Sequence, residues 1–224
     1  MAADRERLSR DRVLTAAVAL ADARGLEAVS MRGLAQQLGV VPMALYKHVA
    51  DKEELLDGMV DAAVAEIAPP PAALGWREYV RASVLGGRVV QLRHPWLRRA
   101  METRRSRTLS VLAHTNRVIH AFRAGGFSDA LTHHAMHALG SRLWGFTQDL
   151  YEEAAAPAPD PGQLEQLAAR FPDLAAVAAA TGHDAGSVVG TGCDDQYEFE
   201  FALDLLLDGF EKLRGTGWPP AAAR

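Results

Sequence analysis

Tyr46, Lys47 and His48 stand in a row, one leucine downstream of Pro42, Met43 and Ala44. Small and apolar groups such as the first three can touch thymine methyls, while tyrosine, lysine and histidine reach base edges or phosphates. Arg32 upstream and Lys52 downstream add two cations placed to hold phosphates. The chemistry these eight residues share is recognition of double-stranded DNA. A second set lies further along: Trp96, Met101, His114, Asn116, His120, His133, His137, Trp144 and Gln148. A plain core does not need so many polar and aromatic groups, and a mainly apolar cavity with a few polar groups is the usual site for a small-molecule effector.

Side chains read DNA only if something presents them to a groove. Ser30 is a good N-cap, and Met31, Leu34, Ala35 and Leu38 follow at helical spacing. Gly39 then ends that helix, and Pro42 suits the first position of another. In the second helix Leu45 and Val49 form the inward stripe, so Pro42, Met43, Ala44, Tyr46, Lys47 and His48 face outward. Two short helices joined by a glycine-containing turn make a helix-turn-helix, whose second helix enters the major groove. The bland alternative is a helical hairpin that merely packs, which exposed tyrosine, lysine and histidine side by side disfavour.

The run LAQQLGV followed by ALYKHVADKEELLDGMV, with VALADARGLEAVSMRGLAQ leading in, resembles the DNA-binding signature of the tetracycline-repressor (TetR) family. The resemblance spans roughly residues 10 to 62. It implies an all-α, dimeric repressor, released from a palindromic operator by a small molecule. It also implies that Arg32, Tyr46, His48 and Lys52 contact phosphates or bases, with Pro42, Met43, Ala44 and Lys47 facing the operator. Val41, Pro42, Met43, Ala44 and Lys47 depart from the tetracycline repressors themselves, so the operator sequence does not carry over.

The whole chain fits this picture. At 224 residues, half of them apolar and few aromatic, it has the length and the Ala/Leu content of a helical protein with a sizeable core. No apolar run reaches the roughly 18 residues of a bilayer span. The start, MAADRERLSRDR, lacks the hydrophobic core of a signal peptide, so the expectation is a cytoplasmic protein with no membrane contact. One cysteine, Cys193, rules out an intrachain disulfide and a multi-cysteine zinc site. The net charge of −4 conceals a division: residues 1–52 carry +2, residues 77–123 carry +9, and residues 148–224 carry −10. The modest charge of the amino-terminal part implies few phosphate contacts per subunit. The Arg-rich middle reads as a bundle with solvated arginines rather than a second DNA surface.

In chain order, Ser9 caps a first helix that runs to Arg24 and ends at Gly25, burying Val13, Leu14, Ala17, Val18, Leu20 and Ala21. Arg5, Arg7 and Arg10 lie in or beside a polar arm that either follows a minor groove or is a solvated tail. A helix from Asp51 carries Leu55, Leu56, Met59, Val60, Ala63, Val64 and Ile67, too many apolar positions for one stripe, which makes it the lever between head and body. Pro69-Pro70-Pro71 marks its end. The expected division is 1–50 helix-turn-helix domain, 51–68 connecting helix, and 69–224 effector-binding and dimerisation domain.

Body helices are expected from Trp76 to Leu92, Trp96 to Met101, Ser106 to Ala124 and Ser128 to Leu150. A Pro/Ala linker over 154–162, a brief helix from Gln163 to Arg170, Ala-rich turns and a Gly-rich run over 182–192 follow. The last helix, Asp194 to Arg214, carries Phe199, Ala202, Leu203, Leu206, Phe210 and Leu213 on one face, while Tyr197, Phe201 and Leu205 mark a second apolar face. That surplus suggests a homodimer, since pairing sets two reading helices about 34–36 Å apart on DNA.

Metal is not expected. His133 and His137 have metal-ligand spacing, but His134 stands where a zinc protease needs glutamate, and no Glu-x-x-His pair occurs. Nor is a cofactor implied. An enzyme using the histidine cluster is the rival from another class, yet no phosphate loop or nucleophile elbow is present. A DNA-binding dimer that answers to a protein partner instead of a small molecule is the other alternative.

Overall fold

The computed structural model describes residues 7–104, 107–145, 161–180 and 194–218. These are helical, and they form two compact units, one reaching to Met136 and including Trp218, the other His137–Gly217.

In the first unit, α1 (Arg10–Arg24) starts where Ser9 Oγ accepts from the Arg12 amide, 3.2 Å, and ends at Gly25. Helix α2 (Met31–Leu38) starts the same way, with Ser30 Oγ accepting from the Gly33 amide. It closes at Gly39, whose φ of 66° and ψ of 34° are left-handed. A residue with a Cβ is strained there. Helix α3 (Pro42–Leu45) follows at once, and it is shorter than its sequence suggests. After one α-helical turn the chain tightens, and the His48 amide donates to the Leu45 carbonyl at 2.8 Å. Leu45 and Val49 are nonetheless both buried, so the expected inward stripe holds.

Helix α4 (Lys52–Ala65) opens with reciprocal capping. The Asp51 carboxylate accepts from the Glu54 amide, and the Glu54 carboxylate accepts from the Ala50 amide. Leu55, Leu56, Met59, Val60, Ala63, Val64 and Ile67 are all buried, on both faces. That two-sided burial is met by α1 on one side and by α5 (Trp76–Arg93), α6 (Leu97–Glu102) and α7 (Leu109–Ala124) on the other. The approach of α1 is close: a Cβ on Gly58 would lie 2.6 Å from Leu14 Cδ2.

Polar contacts fix α4 along its length. Arg104, after α6, reaches Glu53 Oε2 at 3.0 Å and Asp57 Oδ1 at 3.3 Å. Asp61 Oδ1 accepts from the Ser110 amide at 3.0 Å, in the first turn of α7. The α7 cap residue, Thr108, offers no side-chain bond there, so α4 supplies the missing acceptor. Asp61→Ala is therefore expected to cost about 1 kcal/mol, the scale of a lost N-cap. Urea unfolding would measure it, and an unchanged midpoint would refute the cap. Further on, Trp76, Phe122 and Phe127 form an aromatic knot with ring centroids 4.6 to 5.7 Å apart. Helix α7 starts later than expected, at Leu109 rather than Ser106, and packs chiefly on α5 and α4.

Helix α8 (Asp129–Gly145) begins after Ser128, whose Oγ accepts from the Leu131 amide, and its later part lies in the second unit. There Arg142 donates to the Glu198 carbonyl and lies over the Phe199 ring, 4.8 Å from its centroid. Helix α11 (Asp195–Gly215) lies where a last helix was expected, with Asp194 as its N-cap rather than its first residue. Phe199, Leu203, Leu207 and Phe210 are its buried apolar residues, so Leu207 takes the place expected of Leu206. Tyr197, Phe201 and Leu205 remain exposed. Helices α9 (Pro161–Arg170) and α10 (Pro172–Ala180) pack together. The expected Ala-rich turns are helix instead, because alanine is the best helix former and Pro172 fits a first helical position. Pro161 and Gly162 likewise belong to α9 rather than to the linker. The rest of that linker, Arg5, Gln148, the end of α8 towards Leu150, the 182–192 run and Cys193 lie outside the described residues.

Candidate functional site

The turn at Gly39 and the anchors Leu45 and Val49 decide which side chains of the α2–α3 hairpin face solvent. Leu45 is 0% exposed, while Met43 is 71% and Tyr46 45% exposed. Pro42 and Lys47 are exposed with them, and Ala44 and His48 are half-buried. Arg32 projects from the first turn of α2 and Lys52 opens α4; both are exposed. The eight residues singled out from the sequence thus lie on one short hairpin and its flanks, none of them in the core. Val41, 68% exposed, joins the same surface. Between Glu27 and Asp51 there is no acidic residue, which leaves this surface positive beside a chain of net negative charge. That gap in the acids was a legible signal of the face. Arg7 is exposed ahead of α1, but Arg10 is not part of a free arm, since it pairs with Glu54 at 3.5 Å.

The second candidate set is more scattered. Asn116, His120, His133 and His137 are exposed, and Met101 and Trp144 are half-buried. His114 is the half-buried member on α7 for which burial matters. Desolvation, and then the positive charge of Arg117, hold its pKa below the ordinary 6.5. A histidine kept neutral by the fold costs stability once the unfolded chain takes up a proton and the folded chain does not. Stability is therefore expected to fall as pH drops below about 6.5, and His114→Asn should reduce that loss. Melts across this range would check it; identical pH dependence in both proteins would refute it.

Trp96 has a different setting. It is buried, and its indole N–H donates to Asp22 Oδ1 at 2.6 Å. The same oxygen lies 2.7 Å from His94 Nδ1, and His94 Nε2 lies 3.2 Å from Glu66 Oε1. Arg93 pairs with the other Glu66 oxygen, and Arg99 of α6 pairs with Glu27 beside α1. This corner ties α1, the end of α4 and the α5–α6 bend together. In the sequence His94 falls merely in the gap between two expected helices, because its partners lie 72 and 28 residues away. Among the described residues no group of three or more His, Cys, Asp or Glu could hold a metal ion, and no helix is long and apolar enough to cross a membrane.

A small amino-terminal helix-turn-helix with a positive outward face, carried on a two-sided connecting helix, defines a DNA-binding regulator. Residues 13–59 match the model of bacterial regulatory proteins of the tetR family, and residues 68–214 match the tetracyclin repressor-like C-terminal domain. The chain belongs to the TetR family and is a ligand-responsive, DNA-binding regulator of transcription. It is 33% identical over 215 residues to the HTH-type transcriptional repressor DrrR1 of Streptomyces coeruleorubidus, covering 92% of this chain and 78% of that one. Its structure resembles that of the TetR family protein ActR of Streptomyces coelicolor in complex with actinorhodin. That match has a TM-score of 0.70 and 28% identity, and spans 93% of this chain and 99% of ActR. BioQ with its double-stranded DNA operator gives a TM-score of 0.60 and 25% identity, over 91% and 98% of the two chains.

Proposed function

We propose that the chain acts in the cytoplasm as a homodimeric repressor that holds a palindromic operator and lets go when a small apolar or aromatic effector binds. The observation that carries the DNA part is the hairpin surface, with Tyr46 and Lys47 outward and Leu45 and Val49 inward. In this reading Pro42, Met43, Ala44, Tyr46 and Lys47 meet base edges, and Arg32, His48 and Lys52 hold phosphates. The division of labour follows the chain: residues 1–50 read DNA, 51–68 connect, and 69–224 bind effector and dimerise.

The exposed stripe Tyr197, Phe201 and Leu205 on α11 supports the dimer. It is an apolar face at helical spacing, and packing it and α8 against a second copy would build a four-helix interface. In this reading the effector binds among α5, α6, α7 and the start of α8, with half-buried His114 on α7 and Met101, Asn116, His120 and His133 as further candidates. The ActR complex with actinorhodin supports a small-molecule effector. The effector's leverage is its differential affinity for two body conformations, transmitted by α4 to the spacing of the two heads.

The test is to recover an operator from random DNA with the purified protein, then titrate candidate aromatic effectors and read operator affinity. An effector that binds tightly and leaves that affinity unchanged would refute the release mechanism.

A further inference from the structure

We propose that His94 is a proton-dependent tether between the body and the end of α4, so that protonation state adjusts how firmly the lever is held. Asp22 fixes one side of the ring. Its Oδ1 already receives the Trp96 indole N–H at 2.6 Å, so as a carboxylate it has only lone pairs to offer His94 Nδ1 at 2.7 Å. The Nδ1 therefore carries a hydrogen in either state of the ring. The other nitrogen, Nε2, faces Glu66 Oε1 at 3.2 Å. A neutral ring presents a lone pair there, against a carboxylate; the imidazolium presents an N–H that donates to it. One proton thus decides whether the ring spans from α1 to the α4 end or holds α1 alone. The ring is 3% exposed, so water reaches this contact only from the Glu66 side.

The charged groups around it are few. Asp22 comes from α1, Glu66 from the end of α4, and Arg93 from α5, paired with Glu66 on its second oxygen. The Arg93 pair holds the Glu66 side chain in place whichever state His94 is in, so the Nε2 contact changes rather than the whole corner. Histidine is the side chain whose charge changes across physiological pH. Glu66 ends the helix that contacts α1, α5, α6 and α7. The inference rests on the reading of α4 as the connection between effector body and DNA head, and adds a proton as a second input to it.

Hydrogen exchange on the full-length protein without DNA tests the tether directly. After correction for intrinsic exchange, protection of the Glu66 and Ile67 amides is expected to fall about tenfold between about pH 6 and pH 8.5, the scale of one charge-assisted bond. In Glu66→Gln, whose amide serves either ring state by rotating, and in His94→Gln, the fall should shrink to under about twofold. Glu66 is partly exposed, so its variant remains informative if the buried His94 variant does not fold. A wild-type protein with no pH change in protection, or variants that keep the full change, would overturn the proposal. In parallel, affinity for the selected operator duplex should change about threefold more over the same pH range in wild type than in Glu66→Gln, any contribution of His48 at the proposed DNA surface being common to both. If no duplex binds at any pH, the DNA-binding reading fails while exchange still decides the tether.

Discussion

Tyr46→Ala with Lys47→Ala is expected to abolish most operator binding, by roughly 100-fold or more per dimer, while the melting temperature stays within about 1 °C. Both side chains are exposed and neither supports the core, so their removal subtracts contacts with DNA and little else. In a dimer each loss counts twice, and a base or phosphate contact on the scale of 1–3 kcal/mol accumulates quickly. Lys47→Ala alone should weaken binding to all sequences alike if the lysine holds a phosphate, and should relax preference at one base pair if it reads a base. Gel-shift or anisotropy titrations against the selected operator and scrambled duplexes would separate these. Unfolding of the double variant would show that the hairpin is oriented differently.

Phe122→Ala is expected to be the most damaging single truncation in the first unit. The ring is 0% exposed and lies between Trp76, at 5.7 Å, and Phe127, at 5.0 Å. Emptying such a site costs about 3–5 kcal/mol, from lost transfer energy and the cavity left behind. For a chain of this length that corresponds to a melting temperature lower by roughly 6–20 °C. Operator affinity measured well below the new melting point should be far less affected, because the knot joins α5, α7 and the turn before α8 and not the exposed α2–α3 hairpin. A shift under about 2 °C would mean the neighbouring rings close the void.

Much of this architecture was legible because its punctuation is local. Ser9, Ser30, Asp51, Ser128 and Asp194 cap helices where their residue types say they should, and Gly25 and Gly39 end them. The two-sided burial of α4 was readable from an apolar pattern too wide for one stripe. The hairpin's outward set followed from fixing Leu45 and Val49. What failed to show was non-local or weakly patterned. Alanine looks the same in a turn and a helix, so α10 was missed, and Leu206 and Leu207 are adjacent, so a small rotation exchanges them. His94, Asp22 and Glu66 come together only through tertiary folding, and no spacing announces it. The effector residues are the least legible, since a histidine on a helix reads the same facing inward or outward.

The brevity of α3 has a consequence of its own. With one helical turn and few backbone bonds of its own, this segment leans on the burial of Leu45 and Val49 to hold its shape. Positions 41, 43, 46 and 47 are consequently interchangeable parts. A library randomised at those four sites alone should yield folded repressors answering to new target sequences, with the remainder of the molecule left untouched.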